Sequence, residues 1–144
     1  MSWVVDTCVI IDIARGDHDF AAASASTTDL KRDDGLLISP LTYVELAPSF
    51  SGDVSAQDAF LLELGVVCEF AGGREAVLKA HHAWYEHILR KRAGDVVKRP
   101  IADVVIGAYA LTKGGLITRN EEDFRTLYPS LRIYNPISTG DNGS

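Results

Sequence analysis

Apolar residues in this chain gather into five short runs, at residues 3–6, 36–39, 66–70, 116–118 and 131–134, separated by longer stretches where they recur at helical spacing. Short continuous apolar runs read as strands buried on both faces, and the 3.6-residue recurrence between them reads as helix. The resulting order is strand, helix, strand, helix, helix, strand, helix, helix, strand, helix, strand. That alternation predicts an α/β domain of three layers, with helices on both faces of a central parallel sheet of about five strands, because right-handed crossovers place helices on each side. Ser39 can cap a short helix whose first position is Pro40. The stretch from Ile101 to Leu111 is apolar nearly all round and predicts a helix buried on most sides. Val77, Trp84 and Ile88, flanked by Tyr85, fall at helical spacing and belong to a core or to an interface between subunits.

Four acids interrupt this pattern. Asp6 ends the first strand, Glu45 sits between Val44 and Leu46, Asp103 is the only charge in residues 101–111, and Asp123 follows the turn after the fourth strand. A carboxylate pushed toward a core carries a desolvation cost unless something positive offsets it. Several brought together repel one another, and the natural offset is a hard divalent cation such as Mg²⁺, which prefers oxygen ligands. Each acid also has an ordinary structural explanation. Asp6 could start a turn or cap a helix, Asp103 could complement the helix dipole, Asp123 could belong to a solvated helix start, and Glu45 could point outward.

Composition adds bounds. With 144 residues, ordinary apolar and charged fractions and a loose Ser138–Ser144 end, the chain reads as one domain over residues 1–137 followed by a disordered tail over 138–144. No stretch has the length of a membrane span, and Met1-Ser2-Trp3 lacks the basic start of a signal peptide. Cys8 and Cys68 lie in apolar, strand-like runs without CxxC spacing, which points to buried thiols and a reducing cytoplasm. His81, His82 and His87 share a helix but lack HExxH spacing and further ligands, so a zinc site is not expected. A net charge of −6 is awkward for a nucleic-acid partner. However, Arg90, Lys91, Arg92, Lys98 and Arg99 stand against Asp95 alone just before the Asp103 helix, and Arg119 lies beside the fourth acid. These basic residues are candidates for contact with phosphates or with an acidic partner; the ordinary alternative is a solvated surface.

The segments Val4-Val5-Asp6-Thr7, Thr42-Tyr43-Val44-Glu45-Leu46, Ile101-Ala102-Asp103-Val104-Val105-Ile106-Gly107-Ala108 and Leu116-Ile117-Thr118-Arg119-Asn120-Glu121-Glu122-Asp123-Phe124 together resemble the PIN-domain ribonucleases. More narrowly they are similar to the VapC toxins of toxin–antitoxin pairs, in order, spacing and context over roughly residues 3–136. The resemblance implies a PIN-like fold and a Mg²⁺-dependent endoribonuclease, with Mn²⁺ as an alternative ion. It also implies a homodimer neutralised by a VapB-like antitoxin in a hetero-oligomer. Asp6 and Asp103 match the family's principal metal-binding acids and Glu45 the acid between them. Many relatives carry Asp where this chain has Asn120, so the fourth carboxylate falls to Asp123 or to Glu121. Thr7 and Thr118 match hydroxyls that orient a carboxylate or a water. With Asp6, Asp103 and Asp123 holding the ion, and Glu45 as ligand or as base for the attacking water, no side-chain nucleophile is needed.

Two other readings remain at this point. A receiver-type phosphoacceptor domain also gathers acids at strand ends, although adjacent acids near the first strand and a late Lys are missing. A catalytically weak PIN protein would act mainly as an antitoxin partner and co-repressor, a reading that the Asn120 substitution favours.

Overall fold

A computed structural model of the chain describes residues 2–70, 73–92 and 101–137. The segment 138–144, read above as a tail, lies outside the described residues, as do Asp95, Lys98, Arg99 and the side chain of Arg92. The elements run β1 (Trp3–Val5), α1 (Thr7–Arg15), α2 (Ala21–Lys31), β2 (Leu36–Ile38), α3 (Pro40–Glu45), α4 (Val54–Leu64), β3 (Val66–Cys68), α5 (Arg74–Arg92), α6 (Ile101–Leu111), β4 (Gly115–Ile117), α7 (Glu121–Leu127) and β5 (Ile133–Tyr134).

All five expected strands form, each shifted or shortened by a residue or two, and every pairing is parallel in the order β3-β2-β1-β4-β5. The chain therefore winds outward from β1 through β2 to β3, then returns to β1's other side for β4 and β5. The direction of winding reverses between β1 and β4, and ligands bind open α/β sheets beyond the strand carboxyl ends at such a reversal. This order also differs from the 2-1-3-4-5 order of receiver-type domains, which removes that reading.

Side chains alternate across the pleat and so divide the core. Val4 and Leu116 face the layer formed by α5, α6 and α7, packing with Val104, Ile106 and Phe124. Trp3, Val5 and Ile117 face the layer of α1 and α4, with Val9, Ile10 and Leu61. The three-layer expectation holds on this account.

Two details depart from the sequence reading. One helix was expected between β1 and β2, but two form. Gly16, at φ 63°, closes α1 in the left-handed region that suits glycine, and the Asp17 carboxylate accepts the Asp19 and Phe20 N–H groups at 2.9 and 3.0 Å to start a new direction. Cys8, expected in a strand-like run, lies in the first turn of α1. On α5, Trp84 packs partly buried against the core. Val77 and Tyr85 are 64% and 60% exposed. His87 is buried while His81 and His82 face solvent, so the three histidines do not share a surface.

The α6 helix approaches its neighbours closely at Gly107. A Cβ there would collide with the Tyr128 ring, and that ring is held because the Tyr128 hydroxyl donates to the Val104 carbonyl at 2.6 Å. Glycine within a helix is ordinarily about 1 kcal/mol worse than alanine. Here the clash reverses the sign: Gly107→Ala should destabilise the fold by roughly 1–3 kcal/mol. Chemical denaturation of the variant should show a lower midpoint with an unchanged slope; a gain in stability would contradict the close packing of α6 on Tyr128.

Candidate active site

The carboxyl ends of β1 and β4 lie side by side, and the sequence places an acid on one and a hydroxyl on the other. Asp6 follows β1 and caps α1, with Oδ1 accepting the Thr7 N–H at 2.8 Å. Its Oδ2 accepts the Thr118 hydroxyl at 2.7 Å and the Cys8 thiol at 3.4 Å. The residue is only 5% exposed, and every one of these partners is neutral. Burial pushes its pKa above the ordinary 3.8, the three hydrogen bonds partly counter that, and the negative charge of Glu45 adds to the rise. A carboxylate placed this way stores an unmet demand for positive charge.

Glu45 arrives on the last turn of α3. That helix forms as expected: Ser39 caps it by accepting the Thr42 N–H at 3.2 Å, and Pro40 occupies the first turn. Thr7 then links the two acids. Its backbone N–H holds Asp6, and its hydroxyl donates to Glu45 Oε1 at 2.7 Å while lying 3.1 Å from the Thr42 hydroxyl oxygen. Thr118, fully buried, donates to Asp6 and accepts the Asn120 N–H at 3.0 Å, so the turn after β4 is tied to the same carboxylate. Cys8 is no nucleophile: burial first, and then the Asp6 charge, push its thiol up to about 12, leaving it protonated as a donor.

Of the four predicted acids, the hydrogen bonds of Thr7 join Asp6 and Glu45. Asp103 stands in the first turn of α6 and Asp123 in the first turn of α7, both partly buried. The described residues contain no group of three or more acidic, cysteine or histidine side chains that could hold a metal ion. Asp123 lines a polar cleft of about 460 Å³ with Asn120, Arg119 and Asn135. Glu121, the other candidate for the fourth acid, pairs with Arg125 at 2.8 Å. Arg119 turns toward the protein, gripping Asp12 with Nε at 2.6 Å and the second nitrogen at 3.1 Å. Arg90 lines a separate groove with Leu127 and Tyr128, and Lys91 is exposed.

Sequence reasoning passed over Asp12, Thr42 and the thiol of Cys8 as partners in this network. Asp12, an acid between Ile11 and Ile13, had the same apolar setting that singled out the other four.

The oxygen-only donors of Asp6 and Glu45 fit a hard divalent ion. Mg²⁺ keeps several waters and uses one or two carboxylates plus substrate phosphates, so a pre-assembled cage of three acids is not required.

The PIN domain family model matches residues 3–128. Three solved structures share the fold: VapBC2 from Rickettsia felis bound to a DNA fragment from its promoter (TM-score 0.68, 15% identity, covering 94% of this chain and 98% of that one); VapBC-1 from nontypeable Haemophilus influenzae (0.66, 19%, 96% and 100%); and a toxin–antitoxin complex from Klebsiella pneumoniae (0.60, 19%, 93% and 97%). No curated protein matches by sequence.

The raised pKa of Asp6 gives a signed prediction. The folded state binds this proton more tightly than the unfolded chain, so the ionised group lowers stability above the folded pKa and the penalty fades as pH falls toward 3.8. In metal-free buffer at neutral pH, Asp6→Asn should therefore melt on the order of a few degrees higher than the wild type. The gap should close on acidification. A variant that melts lower at neutral pH would show that the carboxylate is compensated.

Proposed function

The chain belongs to the PIN-domain family, and on that premise we propose that it is a VapC-like toxin, a Mg²⁺-dependent endoribonuclease that hydrolyses RNA phosphodiester bonds. The observation that carries this reading is the buried Asp6 carboxylate, held at the reversal point of the sheet by donors that are all neutral among the described residues and linked through Thr7 to Glu45. In this proposal Asp6, Asp103 and Asp123 hold the ion and Glu45 serves as a further ligand or as the base that orients the attacking water. Mg²⁺, with Mn²⁺ as an alternative, supplies Lewis-acid activation of water and neutralises phosphate charge. Thr7 keeps Glu45 and Asp6 in register, Thr118 fixes Oδ2 of Asp6, and Asn120 lines the polar cleft together with Asp123.

Several other properties belong to the same proposal. The fold is shared with toxin–antitoxin complexes, one of them bound to promoter DNA, which supports a VapB-like antitoxin as partner. Homodimerisation finds support in α5, whose Val77, Leu78, Tyr85 and Leu89 are 64%, 49%, 60% and 42% exposed, an apolar stripe that a second subunit would cover. Among the described residues no helix is long and apolar enough to cross a membrane, in keeping with a cytoplasmic site of action. Arg90, Lys91 and Arg92 remain the candidates for RNA or antitoxin contact.

A second reading, a catalytically weak binding module, is favoured by one observation: among the described residues no three acidic, cysteine or histidine side chains are grouped so that they could hold a metal ion. RNA cleavage by the purified chain separates the two. The nuclease reading expects cleavage that needs Mg²⁺, stops with chelator, and falls by about a hundredfold or more in Asp6→Asn and Asp103→Asn, the loss of several kcal/mol of charge stabilisation. Absence of Mg²⁺-dependent cleavage in the wild type would leave the binding module. Full activity in either variant would remove that residue from the chemistry.

A further inference from the structure

We propose that Asp12 is a positioning residue for this site, acting through Arg119 to hold the turn after β4 against the body of α1. Asp12 is 4% exposed on α1, six residues beyond the acid that caps the same helix. Arg119 lies between Thr118 and Asn120 in the chain. Its guanidinium makes a two-point contact with the Asp12 carboxylate at 2.6 and 3.1 Å and rests 4.1 Å from the centre of the Phe20 ring. The Ser24 hydroxyl completes the setting of Asp12 from α2 at 3.4 Å. A planar fork on a carboxylate fixes orientation as well as distance, so this pair is a hinge pin between two segments.

Those two segments each carry half of the Asp6 network. One begins with Thr7, whose N–H and hydroxyl hold Asp6 and Glu45. The other contains Thr118, which donates to Asp6 Oδ2 and accepts from the Asn120 backbone. Movement of the turn by a fraction of an ångström therefore reaches Asp6 through the Thr118 hydroxyl, the most buried of its donors. The clamp also assigns Arg119 a different task from phosphate contact: its charge is already matched within the protein.

This inference rests on the reading of Asp6 as a metal-holding carboxylate, and its test separates the two. Mg²⁺ binding to the full chain is measured by calorimetry for the wild type, Asp12→Asn, Arg119→Lys and the double variant, with RNA cleavage kinetics alongside. Partners that orient a ligating carboxylate typically matter 10–100-fold. Each single variant should therefore bind Mg²⁺ about 10–100-fold more weakly and lose a similar factor in kcat with KM little changed. The double variant should be no worse than either, because both break one contact. Asp12→Glu, which keeps a carboxylate, should recover part of the loss. Arg119→Lys keeps the charge and carries the test should Asp12→Asn fail to fold. Wild-type Mg²⁺ affinity in the variants overturns the clamp. So does a split in which Asp12→Asn lowers KM and Arg119→Lys raises it, the pattern of an arginine that touches RNA directly. Mg²⁺ affinity decides the clamp even where the wild-type chain cleaves no RNA, a result that would defeat the nuclease reading alone; a wild-type chain that binds no Mg²⁺ defeats both.

Discussion

A carboxyl group at the end of the central strand of a parallel sheet lies where water is scarce and helices close in from both faces. Asp6 occupies that place with three neutral donors and, among the described residues, no cation hydrogen-bonded to it, and much of the surrounding structure serves to keep it there. The backbone N–H of Thr7 holds one oxygen, and side chains from β4's far end and from α1 hold the other. Hydrogen bonds to the charged form reduce the desolvation penalty without removing it. The remainder is available to whatever positive charge enters, which is how a fold can carry binding energy into a site at some loss of its own stability.

Two threonines give the arrangement its stiffness. Thr7 reaches α3 through Glu45 and Thr42, and Thr118 reaches the turn before α7 through the Asn120 N–H. The seating of α6 depends on the absence of a side chain. Gly107 lets α6 sit against Tyr128 at a distance a methyl group would forbid, with Val104, Ile106, Ala108 and Ala110 buried in the same layer. The first turn of that helix, which carries Asp103, thereby belongs to a closely packed element.

The charge balance takes on a different meaning in the folded chain. Many of its cations are engaged internally: Arg119 on Asp12, Arg125 on Glu121, Lys113 on Glu69, and Lys31 over the Trp3 and Tyr134 rings. The net charge of −6 thus goes with several cations that are already engaged within the protein.

Local chemistry was legible in the linear chain. The five strands, the Ser39-Pro40 helix start and the all-apolar 101–111 helix could be read because each depends on neighbours within one or two turns. The break at Gly16 was equally local and was missed, because apolar spacing continues across it while the decisive feature is one left-handed residue. Pairings across the sheet are another matter. The Thr118 hydroxyl meets Asp6 across 112 positions, and Arg119 meets Asp12 across 107, contacts that exist only because β4 returns to lie beside β1. Sequence thus determined which elements form and which residues carry charge into apolar surroundings, since propensity and periodicity are short-range. Tertiary structure alone decided which of those charges share a hydrogen-bond network, since that depends on strand order, and no local pattern encodes it.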